Sequence, residues 1–210
     1  MPLIDPGQKA PAFTLPDQRG IARSPADFAG RPLVLYFYPK DDTDGCTKQA
    51  CQFRDALPDF SKLGAAVLGI SPDPVASHRR FADKHDLPFP LLADEPASDK
   101  AAPAVCDRFG VWQEKSMYGR KYMGVVRTTY LIGADGRVLR RWDKVSVADH
   151  ADEVIEALRA PGGASGKAAT AAPAKKTGTA KKTAAKRKSV AVKTAVGKLP
   201  ASKSSKSVRR

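Results

Sequence analysis

The chain has 210 residues, 42% of them hydrophobic, and a formal net charge of +14. No eighteen apolar residues run together, and the opening MPLIDPGQKAPAFTL lacks a basic segment followed by an apolar one. Neither a membrane span nor a secretory leader is expected, and the protein is expected in the cytoplasm. Three cysteines, two of them closely spaced, fit a reducing compartment in which disulfides are transient and catalytic.

The charge is unevenly placed. Of the 36 Lys and Arg, 14 lie in residues 161–210, which contain no acidic and no aromatic residue; residues 1–160 hold the other 22 against all 22 Asp and Glu. The composition changes at Pro161-Gly-Gly-Ala-Ser-Gly166, a linker sequence. A folded domain is therefore expected over 1–160, long enough for a proper core. The basic tail over 161–210 has too little apolar surface to offset its ordering entropy and is expected to be disordered.

In chain order, short extended pieces near 13–15 and at Ile21 precede a strand over 33–38. A helix follows over 46–63, with Ala50, Phe53, Leu57 and Phe60 on one face. Next come a strand over 65–71, a helix over 75–86, a short strand near 89–92 and a helical turn around 105–109. Strands over 125–132 and 137–144 form a hairpin joined at Gly133-Ala-Asp-Gly136, and a helix over 148–159 turns Val154, Ile155 and Leu158 inward. Alternating strands and helices predict an α/β fold with a mixed, largely parallel sheet and helices on both faces.

The chemistry concentrates in Pro39-Lys-Asp-Asp-Thr43-Asp-Gly-Cys46-Thr-Lys-Gln-Ala-Cys51. Cys46 falls at the mouth of the helix, where unpaired N–H groups and the helix dipole stabilise a thiolate. It is the candidate nucleophile. Asp42, Thr43 and Asp44 can each cap the helix, and Gly45 permits a close approach. Five residues along an intact helix leave Cα atoms about 8 to 9 Å apart, beyond the roughly 7 Å a disulfide spans. Cys46 and Cys51 can bond only if the first turns unwind, and Gly45, a poor helix former, is placed to allow it.

Pro39, Thr43 and Cys46 form the PxxxTxxC pattern, which resembles the active-site signature of the peroxiredoxins. The run YFYPKDDTDGCTKQACQFRD, followed in order by GISPD, LLADE, FGVWQEKSMYGRKYMG and RTTYLIGADG, resembles the bacterioferritin comigratory protein or peroxiredoxin Q subfamily over roughly residues 3–159. The resemblance implies a thioredoxin-like fold and a thiol peroxidase with no cofactor, whether metal, flavin or haem. It implies attack by Cys46 on a peroxide, giving a sulfenic acid that Cys51 resolves as an intramolecular disulfide, and reduction of that disulfide by thioredoxin or a similar dithiol. A resolving cysteine within the chain removes the need for a second subunit, so a monomer is expected.

Other positions carry over singly. Thr43 matches the active-site hydroxyl, able to donate to bound peroxide while accepting from a neighbour. Arg127 matches the family's arginine, a guanidinium inside an apolar strand that needs an anionic or accepting partner. Pro39 would shield the pocket and fix the entering loop. Gln49 stands three residues after Cys46, on the same helix face, where many peroxiredoxins have Glu, and can orient Arg127. Asp44 departs from the subfamily, which frequently has Pro there, and puts a negative charge beside the thiol.

Cys106, within AVCDRFGVW, reads as a buried small hydrophobe. His78 and His85 read as exposed helix residues in preference to metal ligands, and no C-x2-C pair supports zinc. Arg127 alone reads equally as a structural ion-pair residue. The tail resembles the Lys/Ala/Pro-rich tails of linker histones and histone-like bacterial proteins. Lys175, Lys176, Lys181, Lys182, Lys186, Arg187 and Lys188 are its densest cations, expected to meet DNA or RNA phosphates without base preference and to allow association with the nucleoid. A solvated tail and a nuclear-import signal are its rivals. Against the peroxidase stands a nucleic-acid-binding redox sensor or chaperone, which has no need of the full Pro39, Thr43, Cys46 and Arg127 set.

Overall fold

The computed structural model describes residues 1–98, 100–117 and 119–160. The tail cations named above lie outside these residues.

A small ribbon of β1 (Leu15–Pro16) and β2 (Ala22–Arg23) precedes the main sheet. Then follow β3 (Leu33–Phe37), α1 (Asp44–Asp55), α2 (Leu57–Lys62), β4 (Ala66–Ser71), α3 (Val75–Lys84), β5 (Leu91–Ala93) and α4 (Ala104–Arg108). The chain continues through β6 (Trp112–Met117), β7 (Arg120–Val125), β8 (Thr128–Ile132), β9 (Val138–Trp142) and α5 (His150–Arg159). Five strands make the central sheet, in the order β5-β4-β3-β8-β9. β3 pairs in parallel with β4, and β4 with β5, while β8 runs antiparallel to both β3 and β9. The sheet is mixed, as expected, but its pairing divides evenly and is not largely parallel.

β3 is apolar along its whole length because both its faces are covered. Val34, Tyr36 and Tyr38 face a core built with Cys46, Ala50 and Phe53 of α1, Phe60 of α2, Phe81 of α3 and Val154 and Leu158 of α5. Leu33, Leu35 and Phe37 face the opposite core, with Phe13, Phe28, Val105, Cys106 and Phe109. The cysteine helix therefore lies against the centre of the sheet. Tyr36 lies across Gly69 of the neighbouring strand, where an added Cβ would stand 2.7 Å from the ring's Cζ.

Two expected elements are corrected. The single helix over 46–63 is two helices meeting at Ala56, because Pro58 has no N–H to give the carbonyl of Arg54. The strand over 125–132 is also two: Val125 closes β7, and β8 starts at Thr128. β7 pairs with β6 as a separate hairpin that the hydrophobic pattern did not announce, since Arg120 to Met123 are all exposed.

Candidate active site

Strand register brings the site together. Phe37, the last residue of β3, pairs with Thr128, the first of β8. The loop leaving β3 and the residues entering β8 consequently meet at one end of the sheet. Arg127 thus sits in the two-residue break between β7 and β8, half-buried, and not inside a strand.

α1 starts on this loop. Thr43 occupies its N-cap position with extended backbone, yet no side chain caps the helix. Thr43 Oγ1 instead donates to the Lys40 carbonyl at 3.1 Å, and the Asp42 carboxylate turns to Lys84 and His85 of the α3 end. The expected side-chain capping is thereby corrected. The bonds from His85 and then Lys84 hold the Asp42 carboxyl below the usual range. Asp44 opens the helix in an exposed position.

Cys46 is 1% exposed. Its Sγ accepts a hydrogen bond from Arg127 Nη2 at 3.2 Å, while Arg127 Nη1 donates to Gln49 Oε1 at 2.6 Å. Gln49 is fully buried, so the amide that aims the guanidinium is itself fixed by packing. Gly45 leaves the guanidinium its place: a Cβ there would stand 3.2 Å from Arg127 Nη2. Cys46, Gln49, Gly45 and Arg127 therefore converge. Pro39 is half-buried where the chain leaves β3, and Thr43 is exposed three residues before Cys46, its hydroxyl bonded away from the sulfur.

Cys51 is half-buried in the same unbroken helix, and both thiols are free. Helix geometry keeps their Cα atoms about 8 to 9 Å apart, outside disulfide range. Cys106 is fully buried in the opposite core, and burial pushes its thiol well up, with Asp94 adding to the effect. The Asp94 carboxylate accepts from the N–H groups of Val105 and Cys106 at the start of α4.

The histidines overturn their expected reading. His78 is 0% exposed, its Nδ1 2.9 Å from Asp41 Oδ2, and the Tyr38 hydroxyl donates to Asp41 Oδ1 at 2.8 Å. His85 is largely covered, its side chain 19% exposed. Positions 78, 81, 82 and 85 make one face of α3, and Phe81 on that face was the signal that both histidines turn inward. No cluster with metal-ligand composition occurs among the described residues. Asp41, which carries no sequence signal of its own, ties the cysteine loop to Tyr38 just past the end of β3 and to His78 of α3.

A buried thiol with a permanent cation donating to its sulfur is a site for a reaction that forms negative charge there. Comparison with known proteins gives the reaction. Residues 6–141 match the AhpC/TSA family. A putative peroxiredoxin Bcp of Coxiella burnetii is 48% identical over 155 residues, 74% of this chain and 99% of that protein. Peroxiredoxin Bcp of Bacillus subtilis is 44% identical over 156 residues, 74% and 96% of the two chains. The chain belongs to the AhpC/TSA family, among the Bcp peroxiredoxins.

As a Bcp peroxiredoxin it is a thiol peroxidase, with a peroxidatic cysteine, a peroxide substrate and a thiol reductant. A solved structure of the Xanthomonas campestris bacterioferritin comigratory protein, described for its alkyl peroxide reduction activity, superposes with a TM-score of 0.65 at 41% identity. That alignment covers 73% of this chain and 97% of the other. The α/β sheet flanked by helices is thus the thioredoxin-like fold of its peroxiredoxin relatives. The family match ends at residue 141, well short of the tail.

Proposed function

We propose that Cys46 is the peroxidatic cysteine and Cys51 the resolving one in a thioredoxin-dependent peroxidase acting on hydrogen peroxide and organic hydroperoxides. The observation that carries this reading is the Arg127 Nη2 contact to Cys46 Sγ at 3.2 Å.

The Cys46 thiolate attacks one peroxide oxygen. An S–O bond forms as the O–O bond breaks, sulfur is oxidised to the sulfenic acid, and the leaving oxygen takes a proton to depart as water or an alcohol. Arg127 serves both the sulfur and the oxygen on which charge develops, held for this by Gln49. Thr43, on turning its hydroxyl from Lys40, donates to the bound peroxide, and Pro39 screens the pocket mouth. The alkyl peroxide activity described for the Xanthomonas relative supports organic substrates.

The first turns of α1 then unwind. The Cys51 thiolate attacks the sulfenic sulfur, an S–S bond forms, and hydroxide leaves to be protonated to water. Thioredoxin reduces this disulfide through a mixed disulfide, returning both thiols. One chain contains both cysteines, which supports a monomer as the working unit. The domain over 1–160 carries this chemistry, and the tail over 161–210 tethers it to nucleic acid, holding a cytoplasmic peroxidase near the nucleoid.

Thioredoxin-coupled turnover of hydrogen peroxide and an alkyl hydroperoxide tests the reading. The parent should turn over both, Cys46→Ser neither. Parent-like turnover by Cys46→Ser would assign the nucleophile elsewhere.

A further inference from the structure

His85 holds the cysteine helix at both ends. Its ring Nε2 lies 3.0 Å from Asp42 Oδ1, two residues before α1 begins, and its backbone carbonyl accepts from Arg54 Nη1 at 2.7 Å, one residue before α1 ends. His85 is itself fixed. It is the C-cap of α3, its N–H bonded to the Phe81 carbonyl, and its ring packs edge-on against Phe81 with centroids 5.2 Å apart.

The two aspartates of the loop are held in different ways. Asp41 is an anchor in the core: its carboxylate meets Tyr38 and His78, and its N–H donates to Asp73 Oδ2 at 2.8 Å. Opening that cluster would strand buried polar groups. Asp42 is an exposed catch, bonded to His85 and, at 2.6 Å, to Lys84 Nζ, groups that water can replace. It also has φ of 54°, a left-handed conformation that an aspartate occupies at a cost. Releasing its carboxylate lets the backbone relax next to the turns that must unwind.

We propose that His85 is a positioning residue for disulfide formation: with Lys84 it latches Asp42, and that latch must open before Cys51 can reach Cys46. The proposal rests on Cys46 and Cys51 being the reacting pair. With Asp41 fixed upstream and Arg54 still bonded to the His85 carbonyl downstream, rearrangement is confined to residues 42–53. No reactant is added to the resolution step; only its rate is set.

Rapid mixing of the full chain with one equivalent of hydrogen peroxide, quenched for mass analysis, separates sulfenic acid formation from disulfide formation. His85→Ala and Lys84→Met should each speed disulfide formation roughly 2- to 5-fold, the range of an exposed ionic contact. Sulfenic acid formation should stay within about twofold of the parent, and His85→Gln, which retains an N–H donor, should return the disulfide rate toward the parent value. A purely structural role would not split the two steps. Cys51→Ser is the control for the reacting pair. If it stops disulfide formation while His85→Ala and Lys84→Met proceed at the parent rate or slower, the latch is wrong and the pair stands. If Cys51→Ser leaves the oxidised sulfur resolved as in the parent, both fall.

Discussion

Arg127 Nη2 donates to Cys46 Sγ across 3.2 Å, although 81 residues separate the two in sequence. The contact exists because β3 and β8 pair with Phe37 opposite Thr128, and because Gly45 offers no side chain to displace the guanidinium. Hydrogen bonds to charged groups contribute about 1.5 to 3 kcal/mol, so Arg127→Met should slow sulfenic acid formation by roughly 10- to 150-fold. Arg127→Lys should recover only part of this, since a point charge cannot meet Gln49 and Cys46 in two fixed directions. Second-order rates for both variants, measured with hydrogen peroxide, check the expectation; a parent-like Arg127→Met would make the contact incidental.

Gly45 lies in the first turn of α1, and Ala there favours the helix by about 0.8 to 1.0 kcal/mol. Gly45→Ala, whose Cβ would stand 3.2 Å from Arg127 Nη2 and so also slow sulfenic acid formation, should slow the disulfide step that follows, timed separately after a peroxide pulse, roughly 4- to 5-fold. Equal rates in the two proteins would mean that unwinding does not limit resolution.

Gly69 has a packing role in the core that Tyr36 shares with Cys46. A Cβ at this position would stand 2.7 Å from Tyr36 Cζ and 2.8 Å from Leu91 Cδ2, both in side chains with no room to withdraw. Gly69→Ala should lower unfolding free energy by about 1 to 3 kcal/mol, as overpacked cores do. Urea midpoints at constant slope give the value.

The cysteine motif, the strand over 33–38 and the alternation of elements were legible because each is a local pattern: two residue spacings and an unbroken apolar run. The gap between Val125 and Thr128 was not. A continuous apolar reading from Val125 to Ile132 hides a change of partner, from β6 to β3 and β9, that only tertiary pairing decides. Arg127 was found through family resemblance, and its contact with Gln49 follows from register. Asp41 and His78 were missed for a different reason. Polarity alone predicts exposure, whereas His78 shares the Phe81 face of α3 and meets Asp41 there through Nδ1, its Nε2 buried with no partner among the described residues.

His150 gives a pH dependence of known sign. Its ring is buried between Phe53 and Trp142, with Nε2 2.9 Å from Thr129 Oγ1. Burial lowers its pKa below the ordinary 6.5; Glu153 opposes the shift and Arg127 adds to it. The unfolded chain then binds a proton there more readily than the folded one. Stability should fall as pH drops below about 6.5 toward the depressed folded value, and this contribution should be level above that range. Urea titrations between pH 5 and 8 should show a shallower fall for His150→Gln than for the parent; identical slopes would remove His150 from the account.

The tail predicts a salt-dependent partner. The full chain should bind duplex DNA without sequence preference, and a chain ending at Ala160 should not, with equal peroxidase activity in both. If about 6 to 10 of its cations meet phosphates, affinity should drop roughly 10³- to 10⁵-fold between about 50 and 200 mM salt. Gel shifts across that range decide it. Binding by the shortened chain, or binding indifferent to salt, would leave the tail no such role.

The assignment of Cys46 and Cys51 is tested most directly by single-turnover oxidation of Cys51→Ser, with a sulfenic acid trap and peptide mass mapping. One equivalent of hydrogen peroxide should place the trapped adduct on Cys46 alone, with Cys106 unmodified, whereas the parent should show a Cys46–Cys51 disulfide and no lasting adduct. An adduct on Cys106, or a parent that is oxidised without joining Cys46 to Cys51, would contradict the account.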